Sequence, residues 1–209
     1  MIKIFFSSLF FCCLMTANAQ STFKPGVKGG VNFATFTNSD ADTKTDFYLG
    51  GLFAMKFSKF YTLQPELVYS RQGAIRTQDN TLVANPTIPD GTELKYSLDY
   101  LSLGVINKFT FGKGFHFDVG PSIDFKVGDN FNEKGASEPI GLDLALIGGI
   151  GYAFSNGFSI DARFKQGMAD IFGNNYNNTS DPEGNGNIDD IILNQLFQVG
   201  VSYTFDIKK

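Results

Sequence analysis

His116 is the one histidine in 209 residues, so base chemistry near neutral pH would rest on it or on a carboxylate. A hydrolase needs such a base beside a nucleophile that its substrate can reach. His116 instead follows the tight turn Gly112-Lys113-Gly114 on the polar face of its segment, which favours a structural place over a catalytic one. The charged residues are more numerous and better patterned. Lys28, Lys56, Lys108, Lys126, Arg163 and Lys165 share the polar faces of alternating segments with Glu66, Asp118, Asp124, Asp143 and Asp161. Six cations against five anions on one face form a near-balanced set that can fill an enclosed space, because a buried charge is tolerable when it is paired. Asp161, Arg163 and Glu66 have the groups of a relay or ligand site, although ion pairing is the simpler account. Arg71 and Arg76 stand at the far end of the third segment, where lipopolysaccharide phosphates or plain solvent would meet them.

A further cluster runs from Asp181 to Asp190. Asp181, Glu183 and Asn185 supply oxygen donors at the first, third and fifth places of a calcium-loop spacing, with Gly186 sixth and Ile188 eighth. Asn187 and Asp189 add further oxygens. The twelfth place is Ile192, where a bidentate acid belongs. Two readings therefore stay open, an unliganded acidic loop and a weak calcium site with dissociation constants of about 10⁻⁴ to 10⁻³ M.

The elements that position these residues are strands. Helical spacing of apolar residues is nearly absent, whereas period-two alternation recurs. From Phe115 to Val127 every odd position is apolar or proline, and His116, Asp118, Gly120, Ser122, Asp124 and Lys126 take the even ones. Seven other segments read alike, over about 25–35, 48–58, 60–72, 96–111, 140–154, 157–168 and 195–206. Roughly ten residues per segment suffice to cross a bilayer at a tilt. Tight turns near Ser58-Lys59, Gly112-Lys113-Gly114 and Ser155-Asn156-Gly157 alternate with polar stretches over 36–47, 73–94, 128–139 and 169–194. Such spacing predicts an all-β fold, an eight-stranded antiparallel up-and-down transmembrane barrel. Short periplasmic turns, long extracellular loops and periplasmic termini complete that layout.

Alternation alone also fits a soluble barrel around an apolar ligand. Side-chain volume decides for the membrane. The polar face carries Gly30, Gly50, Ala54, Gly104, Gly120, Gly149, Gly151, Gly200 and Ser202, as a narrow interior requires, while Phe, Leu and Tyr crowd the other face. A porin-width pore needs more strands.

The N-terminus predicts export. Lys3 precedes an apolar run from Ile4 to Met15 that ends in Ala17-Asn18-Ala19, a signal-peptide pattern with cleavage before Gln20. That run is too short for a membrane anchor. Residues 1–19 are thus expected to leave, and residues 20–209 to form one barrel domain. Cys12 and Cys13 would leave with the leader, and Lys3 too, so that 16 basic residues face 21 acidic ones, a charge of about −5. An acidic chain without a basic patch is not expected to bind nucleic acid.

Several stretches are similar to a known family. Gly26-Val27-Lys28-Gly29-Gly30-Val31-Asn32-Phe33, Leu63-Gln64-Pro65-Glu66-Leu67-Val68-Tyr69-Ser70-Arg71-Gln72-Gly73, Tyr100-Leu101-Ser102-Leu103 and Gly120-Pro121 resemble the PorT-like outer-membrane β-barrel family of Bacteroidetes. Gln20 directly after the cleavage site fits it, and Gly104 departs from it, standing where the family often has proline. The resemblance implies an outer-membrane location and, through the family's namesake, a link to protein secretion. The function expected is therefore a non-enzymatic barrel that meets outer-membrane lipid and contacts an envelope or secretion protein through its loops or periplasmic rim. A narrow solute channel and a lipid-acting enzyme are the alternatives. No cofactor is expected beyond the weak calcium site.

Overall fold

A computed structural model describes residues 22–78, 89, 91–134, 136–173 and 191–206. Eight strands follow in chain order: β1 (Thr22–Phe36), β2 (Asp42–Lys56), β3 (Tyr61–Thr77), β4 (Glu93–Phe111), β5 (Phe115–Asp129), β6 (Leu142–Ala153), β7 (Phe158–Gly167) and β8 (Asn194–Thr204). Each pairs antiparallel with its neighbours in sequence, and β1 closes the ring against β8 from Gly26↔Thr204 to Phe36↔Asn194. Closure leaves no unpaired edge, which is what a strand protein needs inside hydrocarbon.

One end of the barrel is made of tight turns. Between β2 and β3 the Ser58 hydroxyl accepts the Phe60 and Tyr61 amides at 3.2 and 2.9 Å. Between β4 and β5 the chain reverses through Gly112 and Gly114, whose φ values of 56° and 141° exclude side chains with a Cβ at little cost. Between β6 and β7 Asn156 accepts the Phe158 amide at 3.1 Å and Gly157 takes φ 89°. The opposite end carries the longer connections, including a single 3₁₀ turn at Asn132–Lys134.

Outward-facing side chains form an apolar band: Val31, Leu49, Leu103, Ile123, Leu146 and Val199 are all exposed. Aromatic rings gird it at the turn end, where Phe60 meets Phe111 at 5.0 Å, Phe111 meets Phe117 at 5.7 Å and Tyr152 meets Phe154 at 5.0 Å. Toward the loop end Phe47 and Tyr69 pair at 6.0 Å. Rings in such belts suit the interface between hydrocarbon and water.

Toward the loop end three strands run three or more residues further than the alternation predicts. β2 begins at Asp42 instead of 48, β3 ends at Thr77 instead of 72, and β4 begins at Glu93 instead of 96, so the connections shrink to 37–41 and 78–92. Pairing continues through Ile75↔Lys95 and Thr77↔Glu93 although, Ile75 apart, the outward side chains there are charged or polar. The contrast that marks a strand to the eye is a contrast in burial, and here it inverts. Inward positions near the loop end are Ala74, Leu98 and Tyr100, all buried, and loop residues Phe131 and Ile171 pack down upon them with Phe36. Phe131 touches Tyr96 at 4.8 Å and Phe172 at 6.0 Å between ring centres.

Candidate functional site

Inside the barrel the strand register brings distant residues onto one level. Lys28 on β1, Glu66 on β3, Asp118 on β5, and Asp161 and Arg163 on β7 all point inward and are buried. Lys28 Nζ donates to Glu66 at 2.8 Å, and Gln64 Nε2 donates to the same carboxylate at 2.7 Å. Arg163 spreads its guanidinium over three acids. One terminal nitrogen donates to both Glu66 oxygens at 2.9 Å, the other donates to Asp118 at 2.7 Å, and Nε lies 2.8 Å from Asp161. A fork of five N–H donors makes arginine the residue suited to such a junction. Lys28 also lies 5.5 Å over the ring of Tyr48, whose hydroxyl occupies the space a Cβ at position 200 would fill, so Gly200 is required there.

Nearer the loop end Lys165 pairs with Asp124 at 2.5 Å and reaches the Ser102 hydroxyl at 3.4 Å. Asp143 stands opposite Asp124 in the β5–β6 register, accepts the Ala169 amide at 3.2 Å and forms no ion pair among the described residues. Lys126 lies apart from both groups, bound to Asp129 at 2.7 Å, Glu138 at 3.0 Å and the Pro139 carbonyl at 2.7 Å. Lys56 and Lys108 join none of these pairs and line the turn end of the interior. Charge is thus sorted along the barrel axis, with acids in the middle and loop-ward levels and uncompensated lysines toward the turns.

His116 is fully buried, with Nδ1 3.4 Å from the Gly114 carbonyl and Nε2 3.7 Å from Asp118. A Cβ at Gly151 would collide with its ring, which fixes glycine there. Arg71 turns outward beside Asp99 at 3.4 Å and Asp46 at 3.6 Å, while Arg76 is exposed. The acidic stretch Asp181–Asp190 lies outside the described residues.

Two groupings escape a reading of charges alone. Asn32 Nδ2 donates to Ser70 at 3.0 Å and to the Arg71 carbonyl at 2.7 Å, Gln198 donates to Asn32 at 2.7 Å, and Asn194 donates to Gln72. These uncharged amides occupy inward positions of three strands, β1, β3 and β8, and period two alone would have found them. Lys44, hydrogen-bonded to Asp46 at 2.7 Å and Ser97 at 2.9 Å, falls in a stretch that reads as loop.

Between the central junction and the Lys165 pair the open space amounts to about 20 Å³, close to the room of one water molecule. Toward the turns the interior widens into a vestibule of about 460 Å³.

A β-barrel is also what sequence comparison returns. The family model described as outer membrane protein beta-barrel domain matches residues 18–173. The chain belongs to that family. Membership gives the outer membrane β-barrel protein its place as an integral component of the outer membrane, crossed by strands. No curated protein sequence matches it. Among solved structures the barrel is similar to Ail, the attachment invasion locus protein of Yersinia pestis, at 12% identity over 88% of this chain and 99% of that one, with a TM-score of 0.47. Neisserial surface protein A is similar at 11% identity over 88% and 97% of the two chains, TM-score 0.47. A de novo designed transmembrane β-barrel is similar at 10% identity over 90% and 99%, TM-score 0.43.

Proposed function

We propose that the chain is a non-enzymatic, non-conducting outer-membrane barrel of the PorT-like kind, which holds its outer loops or its periplasmic rim against an envelope or secretion partner. The observation that carries this reading is the Arg163 junction. One guanidinium bound to Glu66 and Asp118 and beside Asp161 ties β3, β5 and β7 together across the middle of the lumen. Conduction would require those contacts to open, and a buried pair that loses one partner costs about 3–5 kcal/mol. The resemblance of Leu63–Gly73 and Tyr100–Leu103 to the PorT-like sequences supports the secretion link. Tight turns at the end that carries both termini support a periplasmic placement of that end, after removal of residues 1–19.

Planar-bilayer recording of the purified barrel tests the closed lumen. The expected trace is silent, and stable single-channel steps would replace this reading with a narrow channel. Orientation is read with single cysteines, the leader's own pair being absent from the mature chain. A membrane-impermeant maleimide on intact cells is expected to label Lys134→Cys and to spare Lys59→Cys.

A further inference from the structure

The vestibule at the turn end differs in charge from everything above it. Lys24, Lys56, Lys59, Lys108 and Lys113 line it, and no carboxylate does. Lys24 is paired with Asp206. The ammonium groups of the other four find no partner among the described residues. Lys108 is the most telling of them, because it is only 8% exposed and still unpaired. Its cross-strand neighbour is Asp118, yet that carboxylate turns away to Arg163 at 2.7 Å. The lysine is left facing the cavity.

Four like charges around one concave space repel each other, and the repulsion grows where the walls exclude water. A multiply charged anion relieves it. Lysine ammoniums are compact point charges that suit phosphate oxygens, and lysines are the cations that line the cavity. Hydroxyls of Thr62, Thr110, Ser159 and Ser202 in the same wall add donors for oxyanion oxygens. At about 460 Å³ the cavity is larger than one phosphate and falls within the range of small-molecule sites, roughly 300–1,000 Å³. Its inner end stops at the Lys28–Glu66–Arg163 level, so a ligand entering from the turns is retained and not passed on.

We propose that this vestibule is a binding site for a phosphate-bearing polyanion, held by Lys56, Lys59 and Lys113 near the mouth and by the buried Lys108 further in. The phosphate belongs either to a soluble phosphorylated molecule or to the headgroup of an anionic lipid. Binding is a property separate from conductance and from partner contact, and protein in maltoside micelles reports it alone.

Isothermal titration of the folded mature barrel with inorganic pyrophosphate is the test. Saturable binding at one site per chain is expected. Lys108→Gln and Lys113→Gln should each weaken it by about tenfold, the equivalent of one charge-assisted hydrogen bond. Lys95→Gln, on the exposed loop-ward end of β4, should leave it unchanged. Lys113→Gln alters a turn and Lys108→Gln removes an unpaired buried charge, so neither endangers the fold. Absence of saturable heat, or an equal loss in Lys95→Gln, would overturn the site. Repetition in nanodiscs separates the sources, and either result supports the oxyanion site. Pyrophosphate binding that is suppressed by phosphatidylglycerol relative to phosphatidylcholine assigns the lipid headgroup, and equal binding assigns a soluble ligand.

Discussion

Strand β4 passes through two regions of opposite chemistry without changing phase. From Leu101 to Phe111 its outward positions are mainly apolar, with Leu103 and Val105 exposed, and its inward ones include Ser102, Gly104 and Lys108. From Glu93 to Tyr100 the outward positions include Glu93, Lys95 and Asp99, and the inward ones are Leu94, Tyr96, Leu98 and Tyr100. The lower part is solvated by lipid and holds its charges inside. The upper part is solvated by water and builds an ordinary apolar core beneath Phe131 and Ile171. One backbone ladder serves both because hydrogen bonding in a closed barrel is indifferent to side chains, while burial follows the surrounding solvent.

The largest expected effect lies in the membrane half. Arg163→Ala leaves Glu66, Asp118 and Asp161 with the Lys28–Glu66 contact as their one remaining ion pair to a lysine or arginine among the described residues, and should cost about 3–5 kcal/mol, as removal of one partner from a buried pair does. Urea unfolding in lipid vesicles, followed by gel mobility without boiling, measures it. Arg163→Lys should recover little, since one ammonium cannot replace a fork directed at three carboxylates. Full recovery by lysine would mean that charge alone, and not the junction, holds the lumen together.

Phe131→Ala probes the other half, where the driving force is removal of apolar surface from water. Phe131 is 2% exposed, and its loss should cost about 3 kcal/mol, at the low end for a buried phenylalanine because the cap borders solvent and can settle. The same vesicle assay reads the effect, and protease cleavage near residue 131 should rise with it. If stability is untouched, the apolar cap is an ornament of the loop end and the two-region division loses its energetic content.

Much of the lower region was legible in the sequence. Odd and even positions from Phe115 to Val127 separate by chemistry, and the interior residues Lys28, Glu66, Asp118, Asp161 and Arg163 follow from that separation alone. Their partners did not follow. Which carboxylate meets Arg163 depends on the register of strands 45 and 97 residues apart in sequence, and no local pattern records a register. Lys56 and Lys108 share the face of the paired charges but sit one level too near the turns. The upper region was hidden for another reason. Thr43 to Asp46 and Arg76 to Thr77 are polar throughout, so they read as loop, while Phe131 and Ile171 lie in connections whose apolar residues have no periodic neighbours.

A substitution series along β4 marks where the one region gives way to the other. Leu103→Arg, in the middle of the apolar band, should cost about 2–4 kcal/mol, the range for arginine on a lipid-facing strand near the midplane. Phe111→Arg, in the aromatic belt at the turn end, should cost about 0–1 kcal/mol because its guanidinium can reach headgroups. Lys95→Leu is the reverse exchange at the loop end. If water surrounds that part of β4, an added outward leucine gains nothing and loses nothing, and the change should stay within about 0.5 kcal/mol, as for most surface substitutions. If lipid reached that height, burying an ammonium stem there would already be costly, and leucine would stabilise the barrel by more than about 1 kcal/mol. Urea midpoints of the three variants in the same vesicles therefore fix the water level on β4 between Lys95 and Leu103, and a stabilising Lys95→Leu would move the boundary above the apolar cap and remove the reason for its inverted pattern.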